Sequence, residues 1–208
     1  MKFYEIKQKI QELRIFSVND LLIIDPTFRR QTLYDWEENG WVIKLRNQRY
    51  IFSDFNPSNY DLYLVANKLY APSYISLELA LNHYGIIPES VPRFTSVTTN
   101  KTNIFETKIG IFDYKSIDEK LFFGYSLNST EYYTYKIASL EKAIIDYCYL
   151  NPSIKSISDF EMLRFNVDIL NENLNKSELL KILKKIDSDA LISKINLLFE
   201  YLKNDHTI

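Results

Sequence analysis

Basic and hydrogen-bonding side chains concentrate in two neighbouring segments near the N-terminus, and their chemistry suits contact with nucleic acid. Arginine can bind guanine through two hydrogen bonds, glutamine can bind adenine in the same way, and threonine, tyrosine and lysine can reach phosphates. The candidate DNA-binding residues are Thr27, Arg29, Arg30, Gln31 and Tyr34 in the first segment, and Lys44, Arg46, Gln48 and Arg49 in the second.

The apolar spacing predicts how the first segment is held. A helix over residues 28–39, capped by Thr27 and ended by Gly40, places Leu33 and Trp36 on its buried side. Arg30, Gln31 and Tyr34 then point outward, where a recognition helix meets base edges.

The second segment lies on a predicted β-hairpin formed by residues 41–45 and 49–53, with Asn47 and Gln48 at its tip. Two more helices precede it, an amphipathic one over residues 3–13 and a short one over Val18–Ile24, which a Ser17–Asp20 capping box opens. Three helices and a hairpin in about fifty residues are typical of a winged helix-turn-helix.

The charge distribution supports this division. Residues 1–53 carry nine Lys/Arg and seven Asp/Glu, a net charge of +2, and the remainder carries sixteen and twenty, a net charge of −4; together they give the −2 of the whole chain. The alternative is a protein-binding winged helix whose arginines are ordinary solvated charges. Asp35, Glu37 and Glu38 reduce the positive potential of the third helix. Basic residues nevertheless recur on both the third helix and the hairpin, which favours DNA binding over that alternative.

The loop at residues 53–59 predicts a boundary between a winged-helix domain, 1–56, and a larger domain, 57–208. The larger domain reads as helices over 60–69 and 77–84, then Thr-, Tyr- and Phe-rich strands over 93–135, then helices from Ser139 onward. A capping box at residues 158–161 opens one of these last helices. The order predicts an α+β fold with a mostly antiparallel sheet and C-terminal helices.

Enzyme chemistry has little support. One cysteine and two histidines leave no recognisable metal site, and neither a phosphate-binding loop nor a dinucleotide fingerprint occurs. Ser139 and Lys142 match the S-x-x-K pattern of serine acyl enzymes, but the other motifs of those enzymes are missing, so Ser139 reads as a helix cap. Cys148 reads as a small core residue. We therefore expect neither catalysis nor a cofactor.

The sequence shows no recognisable signal peptide or membrane-spanning segment. The first residues interleave charges with apolar side chains, and no apolar run approaches the ~20 residues that span a bilayer. The sequence predicts a cytoplasmic protein.

Several motifs, in order along nearly the whole chain, resemble the AbiEi-type antitoxins of type IV toxin–antitoxin systems, which act in abortive infection. The N-terminal run from Phe16 to Tyr50 is similar to the family's winged helix. Residues 77–88 resemble its helix ending in His-Gly-Leu, and Val97-Thr98 the start of its sheet. Residues 138–146, Ala-Ser-Leu-Glu-Lys-Ala-Ile-Ile-Asp, are similar to its P-E-K-A-L-x-D helix.

The resemblance implies two activities. The N-terminal domain would bind double-stranded operator DNA as a transcriptional repressor of its own operon, and the C-terminal domain would act as the antitoxin against a cognate nucleotidyltransferase-like toxin, without requiring a stable complex. The alternative is a winged-helix transcriptional regulator whose C-terminal domain senses a ligand or a partner, with no toxin involved.

Overall fold

A computed structural model describes residues 3–46, 48–88 and 91–204. Asn47, expected at the hairpin tip, lies outside the described residues. The fold is α+β, with helices towards both ends of the chain and most strands between them, as predicted. The helices are α1 (Phe3–Ile10), α2 (Val18–Ile24), α3 (Arg30–Glu38), α4 (Asn59–Leu69), α5 (Leu77–His83), α6 (Leu140–Leu150), α7 (Ile157–Glu161), α8 (Val167–Asn173), α9 (Lys176–Ile186) and α10 (Asp189–Asn204).

The strands form two sheets. The small sheet has the order β1-β3-β2, and the large sheet has the order β6-β7-β5-β4-β9-β8. The strands are β1 (Phe16–Ser17), β2 (Val42–Arg46), β3 (Arg49–Phe52), β4 (Ser73–Ile75), β5 (Arg93–Thr98), β6 (Asn103–Thr107), β7 (Gly110–Ser116), β8 (Tyr125–Ser129) and β9 (Thr134–Ala138).

The N-terminal elements follow the predicted pattern closely. The small sheet is antiparallel, and α1, α2 and α3 pack on one of its faces through a core that includes Leu33 and Trp36. The Ser17–Asp20 box is present, because the Asp20 carboxylate accepts the backbone N–H of Ser17 at 2.7 Å. Gly40 follows the end of α3 with φ +71°, a left-handed conformation that favours glycine.

The predicted cap of the third helix is wrong. α3 begins at Arg30, with Arg29 as its N-cap residue, rather than at residue 28. Thr27 instead closes a turn with Asp25, whose carboxylate accepts both the Thr27 hydroxyl at 2.6 Å and the Thr27 N–H at 3.0 Å. Aspartate side chains commonly accept a hydrogen bond from the backbone N–H two residues later. Here the Thr27 hydroxyl is also engaged by Asp25, so it does not cap α3.

The large sheet is mixed: most of its described strand pairs are antiparallel, as predicted, but two parallel pairs were not predicted. Among the described strands, β4–β9 and β5–β7 pair in parallel, and β4–β5, β6–β7 and β8–β9 pair antiparallel. The predicted strand block, residues 93–135, did not include β4. Both parallel pairs join strands that are distant in sequence or separated by a hairpin strand, and residue patterns carry no information about such pairing.

The C-terminal helices were expected, with one error in their capping. The box that opens α7 is Ser156–Asp159, not residues 158–161, because the Asp159 carboxylate accepts the N–H and the hydroxyl of Ser156 at 2.8 and 2.9 Å. Ser139 caps α6 as predicted, and its Oγ accepts the N–H of Lys142 at 3.2 Å.

We call residues 3–56 the head and residues 57–204 the body. The small sheet has apolar side chains on both faces. Successive residues of a strand point to opposite sides, so Tyr50 lies in the head core while Ile51 packs into the body core. Ile15 also enters the body core, and the Arg14 Nε lies 3.1 Å from the Asp61 Oδ1. The head is therefore packed against the body.

Candidate nucleic-acid interface

Four of the nine predicted DNA-binding residues converge on one cleft. Arg30 and Tyr34 lie one turn apart on α3, and Lys44 and Gln48 face them from the hairpin across a cleft of about 170 Å³. Burial of Leu33 and Trp36 turns this side of α3 outward, and Tyr34 remains 52% exposed. The cleft offers a guanidinium, an ammonium, an amide and a phenol on two adjacent elements.

Tyr50 forms part of the floor of this cleft. Burial raises the pKa of the Tyr50 phenol, the Lys44 ammonium opposes the rise, and Glu37 and Tyr34 add to it. Glu37 is therefore close enough to act on the cleft. The negative charge of Glu37 therefore opposes the positive charge of Lys44 at the floor of the cleft.

The hairpin tip carries a strained residue that contributes to the cleft. Gln48 has φ +60°, a left-handed conformation that is uncommon for residues other than glycine. The register between β2 and β3 also shifts between Lys44 and Arg46, as a β-bulge does. The shift leaves Lys44 on the cleft side of the hairpin and turns Arg46 towards the body.

Two predicted wing residues lie outside the cleft. The Arg46 guanidinium carbon sits 3.9 Å from the ring centroid of Phe105, on edge strand β6 of the body. Arg49 shares the face of β3 that carries Ile51, and its charge acts on Lys68 of α4, contributing to a lowered Lys68 pKa that burial mainly causes. Both arginines therefore border the contact between head and body.

The remaining predicted residues lie at or beyond the N-terminal end of α3. Arg29 is exposed and occupies the N-cap position of α3 without a side-chain capping hydrogen bond, and Thr27 lies in the preceding turn. Gln31 is exposed, and its Nε2 donates to the Asp35 Oδ1 at 3.2 Å. An adenine contact by Gln31 would have to replace that hydrogen bond.

A buried ionic network in the body involves residues that sequence reasoning considered for other roles. Lys142 is fully buried, and its Nζ donates to both Asp146 and the Tyr74 hydroxyl. The Asp146 Oδ2 also accepts the hydroxyls of Tyr74 at 2.9 Å and Ser76 at 2.8 Å. Burial lowers the pKa of Lys142 and raises the pKa of Asp146, because it penalises both charges.

This network fixes Lys142 away from the serine that precedes it by three residues. The Lys142 ammonium is held by Tyr74 and Asp146, while Ser139 uses its Oγ as a helix cap. The available signal for the network was the i, i+4 spacing of Lys142 and Asp146 within a mostly apolar helix.

The remaining candidates for a nucleophile or a metal site have structural surroundings that do not favour either role. Cys148 is buried, and burial raises the pKa of its thiol to about 12. Across the described ranges, no group of three or more His, Cys, Asp or Glu side chains is arranged to hold a metal ion. None of the helices within residues 3–46, 48–88 and 91–204 is both long and apolar enough to cross a membrane.

Comparison with known proteins adds no assignment, since no protein-family model and no curated protein matches this chain.

Proposed function

We propose that the head is a winged helix-turn-helix that binds duplex DNA, with α3 as the recognition helix and the β2–β3 hairpin as the wing. The convergence of Arg30, Tyr34, Lys44 and Gln48 on one cleft is the observation that carries the proposal. Helix α2, the turn at residues 25–29 and α3 follow one another as a helix-turn-helix requires, and the hairpin follows directly.

The side chains of the cleft divide the work of recognition. α3 enters the major groove, where the exposed Arg30 guanidinium binds the O6 and N7 of a guanine through two hydrogen bonds. Lys44 and Tyr34 contact phosphates, which fix the position of the protein on the duplex but do not read sequence. Gln48, at the hairpin tip, meets the adjacent backbone.

For the whole chain we propose a cytoplasmic antitoxin of the AbiEi type that also represses its own operon. The resemblance of motifs along nearly the whole chain supports this proposal, with the body as the part that counteracts a nucleotidyltransferase-like toxin. We propose no enzymatic activity, since Ser139 and Cys148 are engaged in capping and core packing respectively.

Arg30→Ala should weaken binding to the inverted-repeat operator that we expect upstream of the operon by roughly 1–3 kcal/mol and remove the preference at one base position, because a bidentate guanine contact is lost. Lys44→Ala should weaken specific and non-specific binding alike and reduce the slope of log affinity against log salt by about one, because one phosphate contact is lost. Electrophoretic shift assays over a salt series, begun at low salt because the net charge is −2, measure both effects.

The matched control is Lys181→Ala, which removes a cation on α9 that is exposed and paired with Glu178 at 3.0 Å. It should bind DNA as the wild type does. If all four proteins bind the repeat with the same affinity and the same salt slope, the head does not read DNA through this cleft.

The antitoxin proposal predicts a separation of functions. If a nucleotidyltransferase-fold toxin is encoded beside this gene, co-expression of the chain should relieve the growth arrest that the toxin causes. Arg30→Ala should still relieve it while a reporter driven by the operon promoter becomes derepressed, because the exposed guanidinium belongs to the head alone. Growth curves and reporter activity in the same strain measure the two outcomes. A wild-type chain that represses the promoter but gives no relief would favour the ligand- or partner-sensing regulator.

A further inference from the structure

A cleft of about 410 Å³ opens in the body where two parallel strands diverge. β4 and β9 pair at Ile75 and Ile137. Towards the start of β9, where β4 no longer pairs with it, the side chain of Asn67 from α4 makes the hydrogen bonds to the β9 backbone instead. Its Oδ1 accepts the backbone N–H of Lys136 at 2.5 Å, and its Nδ2 donates to the Lys136 carbonyl at 3.3 Å. The cleft lies beside Asn67, between the starts of β4 and β9.

The lining of the cleft is cationic and rich in donors. Lys68 and Lys136 provide two ammonium groups, Ser73 and Thr134 provide hydroxyls, and no carboxylate is among the described residues that line it. Neither ammonium forms an ion pair with a described carboxylate. The Lys136 ammonium lies 5.5 Å from the centroid of the Tyr125 ring, and the Lys68 ammonium contacts a backbone carbonyl, so both cations have partners but neither has a counter-charge. Two cations without a counter-charge beside one concavity favour an anionic occupant.

Lys68 is a partly buried cation with few hydrogen-bond partners among the described residues. One of its three donors reaches the Leu13 carbonyl at 3.4 Å, and burial lowers the pKa of its ammonium, with the charge of Arg49 adding to the effect and Asp20 opposing it. An anion placed beside Lys68 would offset both the desolvation and the repulsion from Arg49.

The shape and chemistry narrow the ligand class. Two point-charge ammonium groups match a tetrahedral oxyanion with several acceptor oxygens. Of the two hydroxyls, that of Ser73 donates to the Ala66 carbonyl at 3.5 Å, whereas that of Thr134 lies at an exposed position 3.3 Å from the Ser129 hydroxyl and can turn towards an oxyanion. The volume exceeds what a bare phosphate ion needs, and Leu64, Pro72 and Leu127 supply an apolar wall beside the polar groups. A small organic molecule that carries a phosphate group satisfies both parts.

We propose that the cleft between β4 and β9 binds a small phosphate monoester, with Lys68 and Lys136 on the phosphate and the apolar wall against the remainder. The proposal is independent of DNA binding by the head. Lys68 nevertheless links the cleft to the head through its contact with Leu13 and its proximity to Arg49, so an occupant would act on the junction between the two parts.

The test is a titration of the full chain with adenosine monophosphate, inorganic phosphate and adenosine, followed by calorimetry and by NMR of the lysine side chains. Adenosine monophosphate should bind more tightly than inorganic phosphate, adenosine should bind least, and the pKa of Lys68 should rise on binding. Lys136→Met keeps most of the side-chain stem. It should lower the affinity for adenosine monophosphate about tenfold or more, because a charged hydrogen bond is lost.

The control and a second variant keep the test decisive. Lys181→Met removes an exposed lysine elsewhere on the body and should bind as the wild type does. Thr134→Val, at an exposed position of β9, should weaken binding even if Lys136→Met unfolds. The proposal fails if millimolar adenosine monophosphate produces no heat and no shift, if adenosine binds equally well, or if both lysine variants bind alike. It also fails if only duplex DNA perturbs Lys68 and Lys136.

Discussion

Asp146→Ala should destabilise the protein by roughly 3–5 kcal/mol, because it leaves the fully buried Lys142 ammonium without its counter-charge. The same change removes the acceptor of the Tyr74 and Ser76 hydroxyls, which lie 2.9 and 2.8 Å from the Asp146 Oδ2. Since typical domains are stable by only about 5–15 kcal/mol, the variant should unfold at much lower denaturant concentration. Urea titration followed by far-UV circular dichroism measures the loss.

A double variant separates the cost of the lone charge from the cost of lost packing. Lys142→Met with Asp146→Leu should recover most of the stability lost in Asp146→Ala, because replacing a whole buried pair by apolar groups is often neutral or stabilising. Glu172→Ala, at an exposed acid on α8, should change stability by no more than about 0.5 kcal/mol. If Asp146→Ala were as stable as Glu172→Ala, Lys142 would not depend on this ion pair.

Local signals predicted the head well. Helical spacing, the Ser17–Asp20 box and Gly40 mark the ends of elements, and each acts over a few residues, which is the range that sequence patterns describe. The cap of α3 was misplaced because Asp25 competes for Thr27, and two polar residues so close together permit either outcome.

The orientation of the wing residues could not be predicted from a hairpin considered alone. Alternation places Lys44 and Ile43 on opposite faces, but it does not say what covers each face. Ile43 and Leu45 are apolar on the face away from α3, and this was the available signal that a second layer packs behind the hairpin. That layer is the body, and it receives Arg46 as well.

The body was predicted only in outline, because its organisation depends on long-range pairing. The parallel pairs β4–β9 and β5–β7 leave no local mark. The cleft beside β9 exists because Asn67 from α4 bonds to Lys136, a contact across 69 positions of the chain. Helix α6 shows the opposite case, since the i, i+4 spacing of Lys142 and Asp146 is a local pattern that permits an ion pair, although the sequence interpretation considered Lys142 only as a partner of Ser139.

The head and the body should unfold together, because the small sheet is a shared wall between their cores. Ile15 and Ile51 belong to the body core although they lie in the head. Arg14 also pairs with Asp61, whose carboxylate completes the capping box of α4. Separating the parts would expose apolar surface and leave a largely buried carboxylate without its arginine.

Unfolding of the head and of the body can be followed separately. Both tryptophans, Trp36 and Trp41, lie in the head and report on it by fluorescence, whereas most helices lie in the body and dominate the circular dichroism signal. Tryptophan fluorescence and far-UV circular dichroism should give coincident urea transitions, as a single cooperative unit requires. Ile51→Ala should lower the free energy of unfolding by roughly 2–5 kcal/mol and shift both transitions equally, because Ile51 is fully buried against the body.

Leu180→Ala is the matched control, because Leu180 is 45% exposed on α9 and its truncation should leave both transitions nearly in place. A fluorescence transition that precedes the circular dichroism transition would mean that the head opens as a separate domain, as the sequence boundary at residues 53–59 predicts. Coincident transitions in the wild type, with a joint shift in Ile51→Ala, would instead mean that the body sets the orientation of the β2–β3 hairpin, which we propose as the wing. Arg46 on Phe105 and Arg49 near Lys68 would then be part of that fixed junction.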